Sequence, residues 1–382
     1  MIDFRSDTVT RPTPGMREAM NRAELGDDVF GDDPSVNRLQ QQAADMLGFE
    51  AALYAPSGTQ TNLIALMSQC QRGDEAIVGQ MAHTYRWEAG GMAVLGSIQP
   101  QPLENQADGS LRLEDIAAAI KPDDPHFART RLVALENTIG GKVLPVDYLG
   151  RVAALVRSHG LVLHLDGARL FNAAVETARE LRSSAKVTTH SSPSAAGADG
   201  SAVASAAPGH SEIAAAARTI CWHFDTVSVC LSKGLGAPVG SLILGPAQTI
   251  DRARRLRKML GGAMRQAGVI AAAGSYALAH HLERLAVDHD NARRLAAGLR
   301  AVAEGTGPLA GKLSVAEPST NMLFVNVDPG IGSAFQAYLQ QAGIAVTGGS
   351  YHGGLRQRWV THLDVDTDDV RKAVEIVGRF PG

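Results

Sequence analysis

Apolar and polar positions along this chain fall into two alternating rhythms. Over 34–47, 63–69, 113–120 and 146–158 the apolar residues recur at the spacing of one buried helix face, with polar residues between them. Between these stretches lie short apolar runs at 51–54, 75–78, 132–135 and 161–165, which read as strands. The alternation predicts an α/β fold, a mostly parallel sheet with helices on both faces.

After two further strands at 226–231 and 240–244 the rhythm changes. Helices over 252–260, 266–279 and 281–303 are followed by strands near 323–327 and 358–361 and a last helix over 367–380, the pattern of a smaller α+β region. With 382 residues the chain exceeds one typical core, so two domains are expected: an N-terminal arm and large domain over 1–248, and a smaller domain over 249–382. The arm is expected to pack on an assembly rather than form a domain of its own. Residues 183–211 break the pattern, being rich in Ser, Ala and Gly and nearly free of large apolar side chains. They read as a surface insertion, mobile and functionally neutral, with His190 and His210 solvated.

Composition narrows the classes. Hydrophobic residues at 45% and charged ones at 20% describe an ordinary globular protein, and a net charge of −3 gives no electrostatic case for nucleic acid or an anionic membrane. The run from Ala267 to Ala279 is too short to span a bilayer, and charges near Met1 stand where a signal peptide needs an apolar core, so no membrane segment is expected. Cys70, Cys221 and Cys230 lack metal-ligand spacing, and their odd number argues against a disulfide framework; a cytoplasmic location fits, and no metal site is expected.

Chemistry first shows at Lys233. The run Val229-Cys230-Leu231-Ser232-Lys233-Gly234-Leu235-Gly236 carries one lysine from an apolar strand into a glycine-rich turn. Desolvation and nearby positive charge turn such an amine into a nucleophile able to form a Schiff base with pyridoxal phosphate (PLP), although a solvated turn lysine has the same local sequence. Upstream, Leu163-His164-Leu165-Asp166-Gly167-Ala168-Arg169 ends a strand on a carboxylate, which PLP needs against its pyridine nitrogen. Ser57-Gly58-Thr59 leads into an apolar helix, whose free N–H groups suit the cofactor phosphate; the same residues also make an ordinary N-cap.

In this order the motifs resemble the low-specificity L-threonine aldolases, among the aspartate-aminotransferase-like PLP enzymes of fold type I. The resemblance runs from Asp3-Phe4-Arg5-Ser6-Asp7 and Gly26-Asp27-Asp28-Val29-Phe30-Gly31 through His83, Glu88-Ala89-Gly90-Gly91 and Leu135-Glu136-Asn137-Thr138. It continues over Arg257-Lys258-Met259-Leu260-Gly261-Gly262, Arg265, Thr320-Asn321-Met322 and Arg358-Trp359-Val360-Thr361-His362. It implies retro-aldol cleavage of L-threonine, L-allo-threonine and related β-hydroxy-α-amino acids to glycine and an aldehyde.

The same resemblance implies roles for individual residues. His83 lies over the cofactor ring with His126 beside it, and His83 is the candidate base for the β-hydroxyl proton, directly or through water with His126. Arg169 and Arg358, with the Ser6 hydroxyl, hold the substrate carboxylate, as guanidinium forks do well. Lys258 and Arg265 reach the phosphate of a neighbouring subunit, implying a homodimer or homotetramer with shared sites. Plain readings stand beside these. His83 can simply begin a helix, His126 can be a loop residue, Arg358 can form a surface ion pair with Arg356 taking its place, and Lys258 can lie on a solvated basic face. His164 is expected in a supporting or core position and His362 in a structural one. Phe30 and Ile139 stand where relatives commonly carry tyrosine and histidine, which puts the preference at Cβ in doubt. Two other activities remain open: another fold type I PLP enzyme, β-eliminating or aminotransferring, and a non-catalytic relative.

Overall fold

The computed structural model describes residues 1–189, 207–348 and 356–382. The chain begins with β1 (Ile2–Asp3), α1 (Pro14–Asn21), α2 (Pro34–Leu47), β2 (Ala51–Ala55), α3 (Gly58–Gln69), β3 (Asp74–Gly79) and the short helices α4 (His83–Arg86) and α5 (Gly91–Val94). It continues through β4 (Gln99–Leu103), α6 (Leu113–Ala119), β5 (Arg129–Glu136), α7 (Val146–Ser158), β6 (Val162–Gly167), α8 (Leu170–Thr189), α9 (His210–Cys221), β7 (Thr226–Cys230) and β8 (Ser241–Gly245). The remainder is α10 (Ala247–Met259), α11 (Gly268–His280), α12 (Leu285–Glu304), β9 (Leu313–Val315), β10 (Met322–Val327), α13 (Gly332–Gln341), β11 (Ile344–Ala345), β12 (Arg356–Val360) and α14 (Thr367–Gly378).

The main sheet has seven strands in the order β2-β8-β7-β6-β5-β3-β4, and β8 is antiparallel to both its neighbours while β7 through β4 run parallel. Every residue of β3 and β7 is buried, including Asp74 and Glu75 of β3 and Thr226 and Ser228 of β7, as befits strands covered on both faces. Local chemistry sets the helix ends. Asp33 accepts hydrogen bonds from the Ser35 and Val36 amides at 3.1 and 3.0 Å, Pro34 takes the first turn where no amide is needed, and Gly48 closes α2 in the left-handed region.

Helices α2, α7, α8, α9 and α11 bury Leu39, Leu149, Phe171, Ile213 and Ala271 in one large core against the sheet. Helix α10 buries Ile250 and Ala253 against Leu53 of β2 and Ile64 of α3. A separate core gathers Leu295 and Leu299 of α12, Leu323 and Val325 of β10, Phe335, Trp359 and Val377.

Residues 2–4 join their own chain's second core: Ile2 and Asp3 pair in parallel with Ile344 and Ala345, and Phe4 is fully buried with its ring 5.3 Å from that of Trp359. One expectation needs correction. The low-complexity stretch is shorter than its composition suggested, because α8 continues to Thr189 and α9 starts at His210. His210 is not solvated. Its amide donates to Glu283 at 2.7 Å and its Nε2 lies 2.8 Å from the Leu278 carbonyl. His190 and the rest of that expected insertion lie outside the described residues.

Candidate active site

The C-terminal ends of β5, β6 and β7 and the first turn of α3 meet at one edge of the sheet, where open α/β sheets place their ligands. Asp166 stands beside Glu136 in the β5–β6 register and is buried. Its Oδ1 accepts from the Ala168 amide at 3.0 Å and its Oδ2 from Asn62 Nδ2 at 2.8 Å, so the carboxylate is held in one orientation. Lys233 follows β7 by three residues, in a turn closed by the Gly236 amide on the Lys233 carbonyl at 2.8 Å. Among the described residues its amine has no hydrogen-bond partner, while its charge acts on Asp7 and Glu136. It borders a small enclosed space with Arg169, Asn172 and Cys230.

Ser57 caps α3 by accepting from the Gln60 amide at 3.2 Å. A Cβ at Gly58 would fall 2.6 Å from Cys230 Sγ, so only glycine brings this helix so close to the end of β7. The amides at this end point outward from the helix, and an anion is the natural partner for them.

His83 opens α4 with its amide on Glu136 Oε2 at 2.7 Å and its Nδ1 2.8 Å from Glu88 Oε1. The hydrogen bond with Glu88 raises the imidazole above its ordinary pKa despite burial. Burial, reinforced by Asp166, pushes the Glu136 carboxyl up as well. His83, Glu88 and Asp166 bring ligand atoms within 4.8 Å of one another, but Asn62 already bridges the two carboxylates. His164 is fully buried between Thr226 and Asn62, and burial pushes it down to about 4, which makes it a neutral supporting group.

On the opposite side Arg169 pairs with Asp7, leaving its Nη1 edge uncommitted to that carboxylate. Arg358 donates from Nη2 to the Arg5 carbonyl at 3.1 Å, and its buried Nε has no partner among the described residues. Burial and the positive charge of Arg169 lower its pKa, the environment of a cation that still needs an anion. Arg356 lies over the Phe324 ring at 4.2 Å, so it is Arg358 that approaches Arg169. Ser6 accepts from the Thr8 amide at 3.2 Å and stands next to Asp7.

Three expected site residues make no hydrogen bond or ion pair with these groups among the described residues. His126 is 85% exposed and paired with Asp124 at 2.7 Å in the loop before β5. The eight residues of β5 separate it from Glu136, roughly 25 Å at ~3.3 Å per residue. Lys258 is exposed in the last turn of α10. Arg265, 58% exposed, pairs with Asp27 at 3.2 Å. Conversely Asn62, Glu88, Glu136 and Asp7 have positions in the site that no sequence argument assigned. The one available signal was polarity where an apolar element should be uniform, as at Asn62 beside Leu63 and Ile64.

Comparison with known proteins bears on this geometry. The chain is 46% identical over 370 residues to the low specificity L-threonine aldolase of Escherichia coli (strain K12), covering 97% of this chain and 96% of that protein. It is 40% identical to low-specificity L-threonine aldolase 1 of Arabidopsis thaliana, covering 97% and 93%. The solved threonine aldolase of Leishmania major superposes with a TM-score of 0.75 at 22% identity, covering 99% of both chains, which establishes the shared fold. Residues 3–328 match the beta-eliminating lyase family, and with relatives this similar along nearly their whole length the chain belongs to that family.

Proposed function

We propose that this protein is a PLP-dependent low-specificity L-threonine aldolase. It cleaves the Cα–Cβ bond of L-threonine, L-allo-threonine and related β-hydroxy-α-amino acids to give glycine and an aldehyde such as acetaldehyde. The observation that carries this reading is the 46% identity to a threonine aldolase over 97% of the chain. The convergence of Lys233, Asp166 and His83 at one sheet edge supports it.

The residues present fit the cofactor. Lys233 offers an amine with no competing partner among the described residues, Asp166 a buried and oriented carboxylate for the ring nitrogen, and Ser57, Gly58 and Thr59 a helix terminus for the phosphate. PLP bound there supplies the sink for the electrons of the broken bond. Arg358, with its free Nε, and the remaining edge of Arg169 bind the substrate carboxylate beside Ser6 and fix which bond at Cα is strained. His83 accepts the β-hydroxyl proton. Lys233 or a water returns a proton to Cα.

Lys258 and Arg265 act on the phosphate from a second copy, so the working unit is a homodimer or homotetramer, and His126 needs such a copy to take part. Support comes from Phe30, 77% exposed, and Met259, 73% exposed, apolar side chains near these cations that a partner would cover. In this reading residues 1–248 form the N-terminal arm and the large PLP-binding unit, and residues 249–382 the smaller unit, whose α10 and α11 pack on the large one. Among the described residues no helix is long and apolar enough to cross a membrane. A cytoplasmic location suits the three free, buried cysteines.

Incubation with L-threonine, L-allo-threonine and L-phenylserine, quantifying glycine and aldehyde, tests the assignment. Release of ammonia, or dependence on a keto-acid acceptor, would instead indicate a β-eliminating lyase or an aminotransferase.

A further inference from the structure

Behind His83 runs a row of polar side chains whose hydrogen-bond direction is determined by its members. Asn62 Nδ2 is 2.8 Å from Glu88 Oε1 and 2.8 Å from Asp166 Oδ2. Two carboxylate acceptors require the amide nitrogen at that point, so Asn62 Oδ1 faces His164 Nε2 at 3.3 Å and accepts from it. His164 Nδ1 then accepts from the Thr226 hydroxyl at 2.9 Å, and Thr226 Oγ1 accepts from Gln69 Nε2 at 2.8 Å. Asn62, Glu88, Asp166, His164 and Thr226 are all buried, where an unmade hydrogen bond is costly and the pattern cannot reverse cheaply.

The same logic reaches His83. Glu88 Oε1 already accepts from Asn62, and it lies 2.8 Å from His83 Nδ1. With Glu88 ionised neither of its oxygens can donate, so the hydrogen of this contact sits on Nδ1. Among the described residues Nε2 has no partner. The His83 side chain is 36% exposed against 4% for Glu88, so the ring is anchored at its buried nitrogen and open at the other.

We propose that Glu88, fixed by Asn62, is a positioning residue that keeps the hydrogen on His83 Nδ1 and leaves Nε2 bare to receive the substrate's proton. The proposal rests on the retro-aldol reading, in which the β-hydroxyl O–H bond breaks, its proton moves to Nε2, and the oxygen's electron pair closes the aldehyde carbonyl as the Cα–Cβ bond breaks, leaving that bond's electron pair to Cα, which takes up a proton to give glycine. The imidazolium so formed faces Glu88 after α4, Glu136 at the end of β5 and Asp166 at the end of β6, with Lys233 beyond Glu136. Among the described residues Glu88 alone touches the ring through a side-chain hydrogen bond, so its charge stabilises the protonated form most directly.

The test is Glu88→Gln, which keeps the shape and a carbonyl acceptor but removes the charge. In the holoenzyme kcat for L-threonine should fall about 10- to 100-fold, KM and bound PLP should stay near wild type, and the acid limb of the pH profile should move to lower pH. A second readout needs no activity. In 15N-histidine-labelled wild-type holoenzyme, the His83 signal, assigned by its loss in His83→Gln, should show hydrogen on Nδ1 and a bare Nε2, and its titration should move down in Glu88→Gln. A neutral wild-type His83 carrying its hydrogen on Nε2, or an unchanged titration in Glu88→Gln, overturns the proposal. If the spectra agree but wild type cleaves no β-hydroxy amino acid, the positioning by Glu88 stands and the retro-aldol reading falls.

Discussion

Arg169 grips Asp7 at two points, Nε on Oδ2 at 2.8 Å and Nη2 on Oδ1 at 2.7 Å, with Asp7 fully buried and its Oδ2 also 3.3 Å from Asn321 Nδ2. The pair ties the N-terminal segment to the second residue after β6, so one of the arginines assigned to substrate is also a structural clamp. Burial alone would raise the Asp7 carboxyl, but the charge and hydrogen bonds of Arg169 outweigh it and hold it well below the usual carboxylate range. Asp7→Ala leaves a buried guanidinium unpaired and should cost about 3–5 kcal/mol of stability, together with weaker substrate binding. Because the folded pKa is depressed, this contribution is complete above the ordinary carboxylate pKa and is lost as pH falls through the lowered one. Urea titrations of both proteins at neutral and strongly acid pH should therefore differ widely at the first and converge at the second.

Lys233→Ala should abolish the covalent link to PLP, its yellow absorption and nearly all turnover. Borohydride reduction of the wild-type holoenzyme followed by peptide mapping checks the position. A pyridoxyl label on Lys258 or any other lysine contradicts it.

Asp166→Asn keeps the hydrogen bond from Asn62 available while removing the charge that keeps the ring nitrogen protonated. PLP should remain bound and kcat should drop at least about 100-fold. A variant that loses only substrate affinity would remove Asp166 from the electronic role.

Sharing of sites between subunits is tested by complementation. Arg265→Ala and Lys233→Ala chains, each weak or inactive, are mixed under conditions that exchange subunits. A mixed dimer should recover up to about half of one wild-type dimer's activity, since one of its two sites receives both missing residues. If mass spectrometry confirms exchange and no activity returns, Arg265 does not act across the interface.

How much of this was legible depended on whether a residue's role is local. Helix α2 could be bounded from its apolar spacing because its cap, Asp33, and its stop, Gly48, lie next to it in sequence. Asp166 could be placed because a strand end is a local event. Strand β4 was missed since Gln99-Pro100-Gln101-Pro102-Leu103 carries two prolines, tolerable only because the strand lies at the sheet's edge. Helix α9 was missed because its alanines resemble the low-complexity stretch before it. Asn62 and Glu88 became functional only once β6 and α4 were brought beside α3. His126 shows the converse limit, a resemblance that supplies a role which one chain's own geometry does not meet.

The pairing of β1 with β11 sets an order on biosynthesis. Residues 2 and 3 find their strand partners only at 344 and 345, and Arg5 meets Arg358 across 353 positions. Residues 2 and 3 therefore wait for segments made long after them, closing a loop of more than three hundred residues before Asp7 can be fixed by Asn321 as well as by Arg169. A chain terminated early could still build the strands that carry Asp166 and Lys233. It would lack the closure that orders Asp7 and Arg358, so in the proposed reading premature termination removes substrate recognition before it removes the cofactor's cradle.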